Sequence, residues 1–166
     1  RYESLLGLPE RLYHSPQLAS ALIEGLSDPF SKIRTLSSFR LSKLNEVSAR
    51  LKLKDHIEHS SKSLTVVDLR KLYAALAIMG ESDQFFLERW SQSSGSLKLS
   101  SLTGRGKDEG HSALIGLALS NEAENHRKVL KKVSGKKFGG GSASEGAQWG
   151  LTYLDANSNQ RDQMVY

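Results

Sequence analysis

Apolar side chains recur along this chain at steps of three and four residues, the spacing that lines one face of an α-helix. Ser15-Pro16 makes an N-cap and first-turn pair, and Ala19, Leu22, Ile23 and Leu26 then fall on one face. Asp28-Pro29 repeats that start signal. Ile33, Leu36, Arg40, Leu44, Val47 and Leu51 continue the stepping, with Lys32, Arg34, Lys43 and Arg50 between them. This run predicts a single amphipathic helix with a basic outer face. Asp55 to Ser63 is polar and without period, and predicts a connection.

A sharper signal follows. Thr65 is placed to cap a helix, Asp68 stands three residues later where a negative charge suits the helix start, and Leu69, Leu72, Tyr73, Leu76 and Met79 form a continuous stripe. Gly80 ends it, and a shorter helix carrying Phe86, Leu87 and Trp90 starts near Ser82 or Asp83, which together predict a helical hairpin. Ser91 to Gly110, rich in Ser and Gly, predicts a long loop. A final helical pair is expected from about His111 to Val133, where Leu114, Leu117, Ala118 and Val129 supply apolar contacts. Beyond it, Gly135 to Gly146 is a Lys, Gly and Ser tract that predicts a flexible arm or backbone laid along a partner. Trp149, Leu151, Tyr153 and Leu154 in the tail predict a docking strand or a strap over the domain. The expectation is an all-α protein, with helical hairpins in a bundle or short repeat stack over residues 1–134 and an extended arm and aromatic tail over 135–166.

Composition narrows the class. Zero cysteines exclude disulfides, thiolate metal centres and thiol catalysis together. With 38% hydrophobic and 25% charged residues the chain is an ordinary globular sequence, and no stretch approaches the ~20 apolar residues of a bilayer span. It begins at Arg1 rather than methionine, as a processed chain or a piece of a longer one does. A formal charge of +5 favours a polyanionic partner.

That charge has a densest point. His126, Arg127, Lys128, Lys131, Lys132, Lys136 and Lys137 run from a predicted helix into the glycine-rich tract, and Arg127, Lys128, Lys131 and Lys132 share a helical face at spacings of three to four. Such a face tracks phosphates by counterion release, and Phe138 beside it is suited to stacking on a base. The other candidate chemistry is thinner. Gly104-Arg105-Gly106-Lys107 and Ser134-Gly135-Lys136-Lys137 both lack the first glycine and the closing hydroxyl of a phosphate loop. Ser142-Ala143-Ser144-Glu145-Gly146 lacks the first glycine of a nucleophile elbow. His56 and His59, flanked by Asp55 and Glu58, have metal-face spacing but no third histidine nearby, and Asp108, Glu109 and His111 form a further acid-base grouping. No constellation supplies nucleophile, base and orienting group together, so a non-enzymatic role without a cofactor or metal is expected.

The string from Asp68 to Trp90, DLRKLYAALAIMGESDQFFLERW, resembles one helical hairpin of the octotricopeptide and FAST-kinase-like class of organellar RNA-associated repeats. Leu69, Leu72, Ala75, Leu76, Ala77 and Gly80 carry the resemblance. Leu117-Ala118 follows Leu76-Ala77 by about forty residues, a helical-repeat spacing, and Ile33 to Leu51 stands where an earlier copy would. The resemblance implies stacked helical pairs that present a basic groove to single-stranded RNA, or a repeat reused as a scaffold in a large assembly, in an organellar (mitochondrial) setting. The resulting expectation is an RNA-associated or ribonucleoprotein subunit. It would hold nucleic-acid backbone through Arg127, Lys128, Lys131, Lys132, Lys136, Lys137 and Phe138 without reading sequence. The alternative is a structural subunit that contacts proteins only.

Overall fold

A computed structural model describes residues 16–44, 47–60, 64–94, 104–135 and 141–165, and these are helical with no strand among them. In chain order the helices are α1 (Pro16–Gly25), α2 (Ser31–Ser42), α3 (Val47–Ser60), α4 (Val66–Ile78), α5 (Asp83–Ser94), α6 (Gly104–Leu119), a 3-10 turn (Ala123–His126), α7 (Arg127–Ser134), α8 (Gly141–Asp155) and α9 (Ser158–Val165). They form two compact units, 1–79 and 80–166.

The first unit is built around α4, which packs on α2 and α3. Its start is capped at Thr65 as expected, and the cap is a reciprocal capping box: the Thr65 hydroxyl accepts from the Asp68 amide, and the Asp68 carboxylate accepts from the Thr65 amide. That carboxylate has a second task. Asp68 is buried, and its Oδ2 also receives the Arg34 guanidinium from α2, with Nε at 3.1 Å and Nη2 at 2.8 Å. The free arm of the fork, Nη1, donates to the carbonyls of Asp28 (2.8 Å) and Pro29 (2.9 Å). One ion pair therefore ties the start of α4 to α2 and to the α1–α2 turn. At the far end Gly80 has φ 75°, the left-handed geometry of a helix stop that suits glycine.

The long basic helix expected from Ile33 to Leu51 is instead two helices, and the first closes with the Lys43 amide donating to the Arg40 carbonyl and the Leu44 amide to the Leu41 carbonyl. After the break the buried face of α3 is Ala49, Leu53 and Ile57, so Leu51, counted as core by periodicity, is 59% exposed. The segment 55–60 is likewise helix rather than connection, because Ile57 completes the i, i+4, i+8 set that Ala49 begins.

The second unit is centred on α6, in which every residue from Gly110 to Ala118 is buried. Helices α5 and α8 pack on it. Small residues set how closely. A Cβ at Gly116 would stand 2.5 Å from the Phe86 ring of α5, one at Gly146 2.6 Å from the His111 carbonyl oxygen, and one at Gly150 2.8 Å from the Ala118 Cβ. Phe86 is fully buried and meets Phe85 edge-to-face, with centroids 5.4 Å apart. The long loop expected up to Gly110 is corrected at both ends, since α5 runs to Ser94 and α6 begins at Gly104. The extended arm and aromatic tail are corrected too: from Gly141 the chain is helix, because its glycines and alanines are the residues that let α8 lie against α6. Trp149 and Tyr153, one turn apart on α8, stack at 5.5 Å with planes 12° apart.

Two substitutions test these contacts. Asp68→Ala removes the carboxylate half of the capping box and leaves the half-buried Arg34 without its counter-ion, and should cost about 3 kcal/mol or more in chemical denaturation. Gly146→Ala forces apart two backbones and should cost about 2 kcal/mol. Gly135→Ala is the matched control and should change little, because its Cβ would meet only the Lys131 carbonyl at 3.4 Å.

Candidate nucleic-acid interface

The basic segment lies on α7, eight residues long and packed against α8. Leu130 and Val133 are buried and Val129 is half-buried, which anchors one side of the helix. Ser144 donates to the Ser134 carbonyl at 3.0 Å at one end, and Arg127 meets Asp155 at 2.6 Å at the other, so α7 and α8 run antiparallel. Lys128, Lys131 and Lys132 face outward, are exposed, and make no ion pair among the described residues. At 1.5 Å per residue their Cα atoms span about 6 Å of helix axis, so three flexible ammonium groups share one small patch.

Arg127 departs from this set. Its Nε and Nη2 each donate to Glu124 at 2.8 Å, and its Nη1 donates to Asp155. Hydrogen bonds to Glu124 first and Asp155 second raise the guanidinium pKa well beyond its ordinary value, and the same bond from Arg127 lowers the Glu124 carboxyl. His126 is also engaged, its Nε2 lying 2.6 Å from Asp83 Oδ2 at the start of α5. The expected face thus divides into a free trio of lysines and a committed arginine. Lys136, Lys137 and Phe138 lie outside the described residues.

The remaining sequence candidates do not converge. His59 is exposed and pairs with Asp55 at 3.0 Å, whereas His56 is half-buried in the first unit. Asp108 contributes its carbonyl to the Ser112 hydroxyl, Glu109 pairs with Arg89 at 3.6 Å, and His111 is buried against Gly146. Of the three motif candidates, residues 104–107 form the first turn of α6, Ser134 ends α7 with Lys136 and Lys137 outside the described residues, and Ser142 to Gly146 lie within α8.

A polar cleft of about 250 Å³ in the first unit is lined by Leu26, Ser27, Asp28, Pro29, Arg34, His56 and Leu64 among the described residues. Burial lowers the His56 pKa below 6.5, and the Arg34 charge adds to that effect against the opposing pull of Asp55 and Asp68. Asp28 Oδ1 accepts from the Phe30 amide at 2.9 Å, fixing the turn that forms the cleft wall.

No protein-family model, curated protein or solved structure matches the chain.

The interactions that sequence reading missed are long-range: Arg34 with Asp68, Asp83 with His126, and Asp155 with Arg127. Only Glu124 with Arg127, at i and i+3, carries a local signal.

The His56 environment fixes a sign. A histidine whose folded pKa lies below its unfolded value of 6.5 stabilises the fold fully above that pH, and the contribution is lost as pH falls toward the folded pKa. His59, raised by its hydrogen bond to the Asp55 carbonyl, titrates in the opposite sense. An NMR pH titration should therefore place the His56 ring below 6.5 and the His59 ring above it. The reverse order would refute the buried placement of His56.

Proposed function

We propose that this chain is a non-catalytic RNA-associated or ribonucleoprotein subunit that binds nucleic-acid backbone through α7. The observation that carries the reading is the outward trio Lys128, Lys131 and Lys132 on a helix whose opposite side is buried. A helix anchored by Leu130 and Val133 offers its cations from a fixed base, and ammonium groups satisfy phosphates as point charges without reading bases. No acidic residue occurs from Arg127 to Phe138, so the next two lysines, Lys136 and Lys137, extend the same positive run in sequence, with Phe138 after them to stack on a base. The resemblance of Asp68–Trp90 to octotricopeptide and FAST-kinase-like repeats agrees with an RNA partner and an organellar setting, and the net charge of +5 agrees with a polyanion.

A second reading has its own observation. Phe30, Leu51 and Val67 of the first unit are 70%, 59% and 58% exposed, large apolar groups of the kind that protein partners cover. This favours a structural subunit of a larger protein assembly. Among the described residues no helix is long and apolar enough to cross a membrane.

Binding of the full chain to a mixed-sequence single-stranded oligoribonucleotide, measured by fluorescence anisotropy across a salt series, separates the two. Replacing Lys128, Lys131 and Lys132 with glutamine should weaken binding at low salt and reduce the slope of log K against log salt by about 2, since each lost phosphate contact removes about 0.7. An unchanged slope would sink the nucleic-acid reading and leave the protein-scaffold one.

A further inference from the structure

Arg127 is the first residue of the basic helix, one helical turn from Lys131, yet its guanidinium is occupied. The two oxygens of Glu124 take Nε and Nη2 in parallel at 2.8 Å, the forked geometry that two non-bridging oxygens of a phosphodiester also satisfy. Asp155 takes the remaining arm through Nη1 at 2.6 Å. Two carboxylates thus serve one guanidinium, and the corner carries one negative charge more than the pairing needs. The Arg161 guanidinium is bound to the Tyr153 and Leu154 carbonyls, and from there it contributes a favourable field at Glu124.

The placement of Asp155 is informative. It is the last residue of α8, where the helix dipole disfavours a carboxylate, so its position is not explained by the helix that carries it. Its interaction with Arg127 explains it. Both carboxylates are largely in solvent, at 63% and 68% exposure, while the Arg127 side chain is 27% exposed. Carboxylates so exposed are screened by water and salt, so a phosphodiester can compete with them for the guanidinium.

We infer that Glu124 and Asp155 are internal stand-ins for phosphate, which keep Arg127 ordered but withdrawn from the lysine patch until a nucleic-acid backbone displaces them. The inference rests on the proposed binding by α7 and names the residues that set its strength. Arg127 is then a fourth phosphate contact, and the two acids are competitors for it. When backbone binds, the phosphodiester oxygens accept the guanidinium hydrogens that Glu124 and Asp155 release, and the carboxylates turn to water.

The test is a salt series on the full chain with the same oligoribonucleotide. Glu124→Gln with Asp155→Asn should tighten binding several-fold at about 50 mM salt and steepen the slope of log K against log salt by about 0.7. Adding Arg127→Gln to that pair should abolish the gain. Glu122→Gln removes a neighbouring exposed charge that does not touch Arg127, and should leave the slope as it was. An unchanged slope in the carboxylate variant, a gain that survives loss of Arg127, or an equal gain from Glu122→Gln would each overturn the inference. The lysine variant run alongside keeps the two levels apart. If it loses binding while the carboxylate variant leaves the slope unchanged, only the stand-in role fails; if it binds as the unaltered chain does, binding by α7 itself fails.

Discussion

The second unit depends on how closely α8 lies against α6. At Gly146 the distance is set by backbone on backbone, since a Cβ there would meet the His111 carbonyl oxygen at 2.6 Å. Gly150 repeats the approach one turn later against Ala118, and a Cβ there would also stand 3.4 Å from Leu130 of α7. The same glycine therefore touches the central helix and the helix that displays the lysines. A bulkier residue at either place would push α8 outward, and α7, which rests on α8, would move with it. The orientation of the basic patch is thus fixed by residues that carry no charge.

The first unit is organised by different physics. Its central helix is apolar along most of its length, but its start is held by one carboxylate oxygen. Asp68 Oδ2 collects the Thr65 amide and hydroxyl together with two nitrogens of Arg34, while Oδ1, also buried, has no hydrogen-bond partner among the described residues. A buried ion pair of this kind contributes less to net stability than to fixing which segments meet, because the desolvation of both charges offsets much of their attraction. Here it fixes α2 and the α1–α2 turn against the capped end of α4, and the cleft beside His56 is a consequence of that turn.

What could be read in the chain follows from the range of each interaction. The Thr65–Asp68 capping box, the stop at Gly80 and the stripe from Leu69 to Met79 are local, and each stands where the periodicity and the capping residues placed it. The all-helical class followed from the same spacing. Periodicity puts Leu51 on the wrong side and leaves Ile57 in a connection because the break after α2 shifts the phase of the stripe, and a phase shift is not visible to a count of threes and fours. Gly141 to Gly146 reads as part of an arm because glycine and serine are turn residues by themselves. Their use as close-contact residues depends on a helix about thirty positions earlier, at His111 and Ala118. The basic run was legible as charge, but the full engagement of Arg127 was not, since one of its three hydrogen bonds goes to Asp155, far along the chain.

The glycines of α8 also bear on the order in which this unit forms. Each glycine in a helix interior costs about 1 kcal/mol relative to alanine, and α8 contains Gly146 and Gly150 with Ser142 and Ser144 as well. Such a segment has little tendency to coil by itself, and α7, at eight residues, is shorter than helices that persist alone in water. Both must therefore take shape on a surface already present, which α5 and α6 supply through Phe86 and Gly116. The spacing of Lys128, Lys131 and Lys132 is in that sense a late product of folding: nascent chain carries the charges, but only the finished unit carries them as a patch.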